Sequence, residues 1–368
     1  MKRQKMDNQA IQCTCCCRRC IIRPNDTGFC GVRWNQDGEL CLAVYGHPCA
    51  LQVDPIEKKP LFHFLPGSQT FSIGTVGCNF HCAFCQNWRI SQTIPRTASE
   101  RSRFFSEMNE GRFYSPKRIV DLAVASGCQS VSFTYNEPTI WGEYAHDIAE
   151  ESMKRGLKTV YVTNGFMTRQ HIDFIRPYLS AMNIDLKGSS LFYRDVCGGA
   201  LDPVCDTIRY AKENGVWVEV TSLIIPGEND GREELTRMAE RIASVSPAIP
   251  WHVTAFHPEY RMLNKKRTSL RSLKMAVEIG RKAGLEFVYV GNVDWRGGED
   301  TCCPKCGTKL VERNGMTTKM FGCAGICCTC GYMIPGVWGE DPCVVCCDHS
   351  ILGVSNGTIN SQWNHTDT

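Results

Sequence analysis

Cys78, Cys82 and Cys85 fall in Gly77-Cys-Asn-Phe-His-Cys-Ala-Phe-Cys85, directly after the strand-like run Phe71-Ser-Ile-Gly-Thr-Val-Gly77. Three thiolates at this spacing can hold three corners of a [4Fe-4S] cube. Such clusters are normally held by four thiolates. A loop with three leaves one iron with an open coordination position, which is how a metal site takes a small molecule. The plainer alternative is a structural zinc knuckle, or three unrelated buried thiols.

Two other cysteine groups have metal-ligand spacing. Cys303-Pro-Lys-Cys306-Gly and Cys327-Cys-Thr-Cys330-Gly are two C-x2-C knuckles separated by 20 residues, the spacing of a zinc ribbon. Zinc held by Cys303, Cys306, Cys327 and Cys330 would supply the folding energy that so small a module cannot draw from its own core. Iron is the rival metal. Near the start, Cys13, Cys16, Cys20 and Cys30 read C-x2-C-x3-C-x9-C and can close a zinc or an auxiliary iron–sulfur site. Cys15 and Cys17 leave that register open, and a free, oxidisable cysteine tail would look the same. Cys343-Val-Val-Cys346 has no partner pair and is assigned nothing.

Composition narrows the class. With 24 cysteines in 368 residues, a disulfide scaffold is excluded by length, because scaffolds of that density are short. Clusters with C-x2-C spacing favour metal in a reducing compartment, so a cytoplasmic location is expected. The net charge of +3 is too small to argue for nucleic acid or a membrane surface. No run of 18 apolar residues occurs, and no apolar stretch follows Met1-Lys-Arg-Gln-Lys-Met-Asp7, so neither a membrane span nor a secretory signal is expected.

Something must hold the cysteine loop, and the middle of the chain has the pattern for it. Strand-like runs at 71–77, 130–135, 159–163, 181–185, 217–225 and 252–256 alternate with amphipathic stretches at 115–126, 141–155, 169–179, 203–214, 233–245 and 269–283. Six βα units in series predict an α/β protein with a parallel sheet, built as a partial (β/α)6 TIM-type barrel. In such barrels the chemistry sits at the C-terminal ends of the strands. The polar segments Tyr135-Asn136-Glu137-Pro138, Thr163-Asn164-Gly165, Asp185-Leu-Lys187 and Thr221 all fall at such ends, and His257 follows the sixth strand. The domains are then a Cys-rich extension (1–69), the barrel (70–299), a four-cysteine module (300–340) and a tail (341–368) expected to be poorly ordered.

Cys-x3-Cys-x2-Cys with Phe84 before its last cysteine resembles the signature of radical S-adenosylmethionine (SAM) enzymes. The resemblance implies the radical SAM fold and a [4Fe-4S] cluster whose open iron is chelated by SAM. It further implies reductive cleavage of SAM to a 5′-deoxyadenosyl radical, which abstracts hydrogen from a substrate. Phe84 would lie near the adenine. Asn136 and Glu137 stand where that family has a Gly-Gly-Glu-Pro-like turn receiving the SAM amino group; both glycines are replaced here, but the carboxylate remains. Thr163-Asn164-Gly165 and Asp185-Leu-Lys187 resemble SAM-binding segments of glycyl-radical-enzyme activases such as pyruvate formate-lyase activase, with Val162 where those have Asp. Thr221 is similar to the fifth-strand segment against the adenine, and His257 completes the cofactor-binding set.

Longer segments are similar to one family, the radical SAM enzyme of the AmmeMemoRadiSam system: Gly28–Arg33, Val53–Leu61, Phe64–Gly67, Gly77–Ser91, Tyr135–Pro138, Asp185–Lys187 and Ile334–Trp338. That family implies AMMECR-like and Memo-like partners and, through activase kinship, a partner-protein substrate. The sequence assigns no role to Val53–Leu61 and Phe64–Gly67 beyond support of the cluster loop from outside the barrel. Lys58-Lys59, Arg101, Arg103, Arg112, Lys117 and Arg118 read as a solvated basic face, or as a dock for an acidic flavodoxin or ferredoxin electron donor. Two other classes stay open: a nucleic-acid-modifying protein gripping RNA with its ribbon, and a non-catalytic metal-binding scaffold. A basic stripe with interleaved aromatics, which RNA binding would call for, is missing.

Overall fold

The computed structural model describes residues 4–5, 9–95, 98–315, 317–321 and 325–339. Cys323, Cys343, Cys346, Cys347 and the tail 341–368 lie outside the described residues.

Eight strands form one sheet: β1 (Ala50–Pro55), β2 (Gln69–Gly74), β3 (Ser130–Phe133), β4 (Lys158–Thr163), β5 (Ala181–Asp185), β6 (Trp217–Ile224), β7 (Trp251–Ala255) and β8 (Val288–Gly291). They lie in the order β8-β7-β6-β5-β4-β3-β2-β1. Strands β2 to β8 are parallel, and β1 joins the edge antiparallel to β2. The parallel strands are buried on both faces, although alternate residues are polar, as in Ser-Val-Ser-Phe of β3 and Trp-His-Val-Thr-Ala of β7. The sheet has one parallel strand more than the six read from the sequence. Strand β8 is only four residues long, too short a run to stand out.

Between the strands lie α1 (Pro116–Ala125), α2 (Gly142–Lys154), α3 (Arg169–Ile175), α4 (Leu201–Glu213), α5 (Arg232–Val245) and α6 (Leu270–Lys282). Their buried faces form one core with the sheet. Ser115 caps α1 by accepting from the Arg118 N–H, with Pro116 in the first turn.

The inner face of the sheet has two levels, set by the two-residue period of the strands. Register pairs Asn183 with Glu219, Thr221 with His252, and His252 with Tyr289. At the lower level Asn183 and Glu219 grip the segment after β1. Asn183 Nδ2 donates to the Pro60 carbonyl (2.7 Å), and the Glu219 carboxylate accepts from the backbone N–H groups of Phe62 (2.9 Å) and His63 (2.8 Å). Leu61 and Phe64 fill the space between Val160, Ala181 and Trp217. Residues 60–64 are therefore a plug on the inner face.

A second, antiparallel sheet, β9 (Thr301–Cys302), β10 (Lys309–Asn314) and β11 (Thr317–Met320), closes over the plug. Leu310, Val311 and Ile334 pack on Phe62, Phe287 and Tyr289. Arg313 donates to the carbonyls of Phe62 (2.7 Å) and Glu299 (2.8 Å).

The N-terminal extension lies over the turns that follow β3 and β4. The Cys15 thiol donates to the Thr139 carbonyl (2.8 Å), Cys17 to that of Met167 (3.0 Å), and Thr168 Oγ1 to that of Thr14 (2.7 Å). Arg33 is buried, donates to the Ile140 carbonyl (2.7 Å) and pairs with Glu143.

Candidate active site

The cysteine loop leaves the end of β2 and is braced from four sides. The Gly77 N–H donates to the Ile90 carbonyl (2.8 Å), that of His81 to Cys197 (2.9 Å) and that of Ala83 to Val196 (3.0 Å), while Arg261 donates to Ala83 (2.9 Å). Asn136, at the end of β3, donates through Nδ2 to the carbonyls of Val76 (3.3 Å) and Gly77 (3.0 Å) and to Thr75 Oγ1 (3.0 Å). Its Oδ1 accepts from the Thr75 N–H (3.1 Å) and the Trp141 indole (3.2 Å). Both side-chain polar atoms of Asn136 are hydrogen-bonded, mostly to the approach to the cysteines. The Cys78 sulfur accepts from the Phe80 N–H (3.4 Å), and Asn164 Nδ2 lies 3.9 Å from it.

Glu137 is buried, and its two oxygens tie the turns after β3 and β4 together. They accept from the Thr139 N–H (3.0 Å), Thr163 Oγ1 (2.7 Å) and the Asn164 N–H (2.8 Å). Burial pushes its pKa up against the pull of those donors. Lys187 Nζ lies 2.7 Å from Asp185 Oδ2 and 5.7 Å from the centre of the Phe84 ring. Burial alone would lower the Lys187 pKa; the Asp185 carboxylate beside it carries it well above the ordinary value.

These residues meet in one cavity of about 500 Å³. Cys78, Cys82, Cys85, Phe84, Asn136, Glu137, Thr163, Asn164, Asp185, Lys187 and Thr221 all line it. It occupies the upper level of the inner face, directly above the plug, at the C-terminal ends of the strands. His257 is not in the lining; its Nδ1 lies 3.3 Å from Gln86 Nε2. His252 is buried at the lower level, with Nε2 2.7 Å from Glu219 Oε2.

Two observations bear on whether an iron–sulfur cluster and SAM fit here. The three thiols of one loop all open into the same cavity, a donor set that can hold three corners of a cube. Thr221 Oγ1 is buried in the cavity wall without a hydrogen-bond partner, a group that a bound ligand would satisfy. Burial pushes the Cys78 thiol well up and the Cys85 thiol up to about 11. Cys82 is lowered, first by its hydrogen bond with Cys197 and then, against burial, by the Lys187 charge.

Sequence reasoning missed one wall of this cavity. Asp54, Lys58, Lys59 and Pro60 line it from the start of the plug, with Tyr135 opposite β2 and Asn292 after β8. The available signal was the long, roleless Val53–Leu61 motif. The expectation of a solvated Lys58-Lys59 patch is corrected: Lys59 is buried on Asp54, because the plug draws it inward. Arg101 likewise pairs with Asp26 at 3.2 Å.

The C-terminal knuckles form a four-thiol group. All four sulfurs lie within 4.8 Å of one another, with Cys303 to Cys330 at 3.6 Å and Cys306 to Cys327 at 3.5 Å. Tetrahedral zinc with bonds of about 2.3 Å puts its sulfurs roughly 3.8 Å apart. Each knuckle closes alike: Cys303 N–H to the Thr308 carbonyl and Gly307 back to Cys303, Cys327 to Tyr332 and Gly331 back to Cys327. The arrangement fits a metal-binding module. Cys13, Cys16, Cys20 and Cys30 do not reach this spacing among the described residues.

Comparison with known proteins decides the family. The sequence pattern of the radical SAM superfamily matches residues 72–242. The uncharacterized protein MJ0808 of Methanocaldococcus jannaschii is 39% identical over 319 residues, covering 86% of this chain and 92% of its own. The chain belongs to the radical SAM superfamily. A second protein of that organism, MJ0674, is 22% identical over 232 residues, covering 58% of this chain and 62% of its own. Among solved structures, a domain of pyruvate-formate lyase-activating enzyme from Bacteroides vulgatus matches with 20% identity and a TM-score of 0.40, over 44% of this chain and 99% of that one. Streptococcus suis SuiB bound to SAM matches with 15% identity and a TM-score of 0.44, over 65% of this chain and 53% of that one. Radical SAM membership indicates an enzyme and implies a [4Fe-4S] cluster and SAM as cofactors. Among the described residues no helix is long and apolar enough to cross a membrane.

Proposed function

We propose that this radical SAM protein abstracts hydrogen from a partner protein, in the manner of glycyl-radical-enzyme activases, on a partial TIM-type barrel in the cytoplasm. The observation that carries the reading is the single cavity that gathers the three cysteines with the polar residues of four strand ends. Cys78, Cys82 and Cys85 would hold the [4Fe-4S] cluster. Phe84, Thr163, Asn164, Asp185, Lys187 and Thr221 would hold SAM. When bound, cluster and SAM supply a 5′-deoxyadenosyl radical.

The chain's own residues then do three things. Asn136 and Glu137 fix the turns that carry the cysteines and Asn164, so the site is built before any ligand enters. Phe84, packed on Phe192, covers the cysteine side of the cavity and excludes water. Lys187, kept charged by Asp185, offers an ammonium to a carboxylate. Cys303, Cys306, Cys327 and Cys330 would hold zinc, and Cys13, Cys16, Cys20 and Cys30 zinc or an auxiliary cluster. A flavodoxin or ferredoxin would deliver the electron, and AMMECR-like and Memo-like proteins are the candidate company.

The test is oxygen-free reconstitution with iron, sulfide, SAM and dithionite. We expect 5′-deoxyadenosine and methionine, with both lost in Cys82→Ala. Their absence from well-loaded wild-type protein would sink the reading.

A further inference from the structure

Lys59 enters the cavity on a short helical turn, Ile56–Lys58, anchored by the fully buried Ile56. Its Nζ lies 2.8 Å from Asp54 Oδ2 and 5.0 Å from the centre of the Tyr135 ring. Asp54 Oδ2 also accepts from the Tyr135 hydroxyl (2.7 Å), and Lys58 Nζ lies 3.4 Å from Oδ1. Two ammonium groups thus share one carboxylate, leaving a local excess of one positive charge on this wall. The other cation of the lining, Lys187, has Asp185 to itself.

An ammonium carries three N–H donors. Among the described residues Asp54 is the one acceptor for the buried Lys59 head, so donors remain for something in the cavity. Burial pulls the Lys59 pKa down, against the pull of Asp54, as it does for an amine whose water has been stripped and not fully replaced.

The backbone is strained to build this group. Tyr135 has a φ of +70°, in the left-handed region that aromatic residues rarely enter. Gly74 makes room for it: a Cβ there would meet the Tyr135 side chain and the Thr134 carbonyl at 3.0 Å. The Tyr135 carbonyl is held in turn by Asn87 Nδ2 at 2.8 Å, directly after the cysteine loop.

We propose that Lys59, set by Asp54 and Tyr135, is the anchor for an anionic group, a carboxylate or phosphoryl, on the substrate itself. This rests on the reading of the cavity as the active site and adds the chemical class of what enters beside SAM. Asp54 and Tyr135 are positioning residues; Lys59 makes the contact.

The experiment is equilibrium dialysis of the reconstituted holoprotein, oxygen-free, against labelled inorganic phosphate and, separately, labelled acetate. At least one anion should bind at millimolar concentration, and which one binds separates a phosphoryl from a carboxylate substrate. Lys59→Gln should weaken that binding about tenfold or more, the loss of a charge-assisted hydrogen bond. Lys59→Arg should restore most of it, which an unfolded variant could not. Binding should persist when SAM is saturating. No binding of either anion, equal binding by K59Q, or displacement by SAM would each overturn the proposal, the last by placing Lys59 in the cofactor site. Uncoupled SAM cleavage by the same wild-type preparation reports on the radical reading independently, so the two can fail separately.

Discussion

Glu219 and His252 face each other at 2.7 Å (Oε2 to Nε2) with both side chains shut off from solvent. The carboxylate also accepts from the Phe62 and His63 backbone and from the Trp217 indole (3.0 Å), so one buried anion joins β6, β7 and the plug. Burial would raise its pKa, but His252 beside it holds the carboxyl below the ordinary value. Glu219→Gln removes the charge and turns one acceptor into a donor among donors. We expect a stability loss of about 3–5 kcal/mol, typical of breaking a buried pair. Denaturant unfolding followed by tryptophan fluorescence would measure it, and a loss under about 1 kcal/mol would show that the plug is not held this way.

His63 makes the plug pH-sensitive. Its Nδ1 meets the Pro335 carbonyl at 2.7 Å and its Nε2 the Tyr289 hydroxyl at 2.6 Å. Burial pushes its pKa down to about 4 from 6.5. A histidine depressed in the folded state binds its proton more readily unfolded. Its stabilising effect is therefore complete above pH 6.5 and is lost as pH falls toward 4, about 3 kcal/mol in all. Unfolding free energy measured across that window should fall in wild-type protein and fall less in His63→Gln. Parallel pH profiles would remove His63 as the cause.

The cysteine loop and the strand-end motifs were legible because their chemistry is written in consecutive residues, and β2 to β7 because short strand-like runs alternate with amphipathic helical stretches. The plug was not. Pro60–Phe64 is held by Asn183 and Glu219, more than a hundred residues away, and no local pattern announces such a partner. Lys58 and Lys59 read as a solvated face for the same reason: only the fold reveals that Asp54 and Tyr135 wait for one of them. Glu137 and Asn136 show the reverse case. Their place was legible, but their hydrogen bonds are largely spent on neighbouring turns, which spacing does not tell.

The four-thiol module should hold one metal ion and depend on it. Its apolar core is small, and coordination of thiolates contributes folding energy directly. Elemental analysis should find one ion per chain fewer in Cys306→Ser than in wild-type protein. A strong chelator or C306S should then lower the melting temperature, while Cys302→Ser, outside the four-thiol set, should not. Because Phe62 and Ile334 share this core, metal loss should also expose the plug to exchange with deuterated water. Full protection of residues 60–64 in the metal-free protein would contradict that coupling.

Gly77 is where the cysteine loop packs against the N-terminal extension. Its φ of +89° is left-handed, and a Cβ there would stand 2.6 Å from the Cys30 carbonyl oxygen and 3.0 Å from Val32. Neither neighbour can yield cheaply, since Val32 is fully buried and Arg33 is locked on Glu143. Gly77→Ala must therefore lift residues 28–32 off the loop or twist the loop beside Cys78, at a backbone cost of about 1–2 kcal/mol before the clash is counted. Two readouts separate these routes: faster proteolysis within 23–33 reports lifting, and reduced iron retention after reconstitution reports twisting. If G77A matched wild type in both, the extension and the cysteine loop would not be in contact at Gly77.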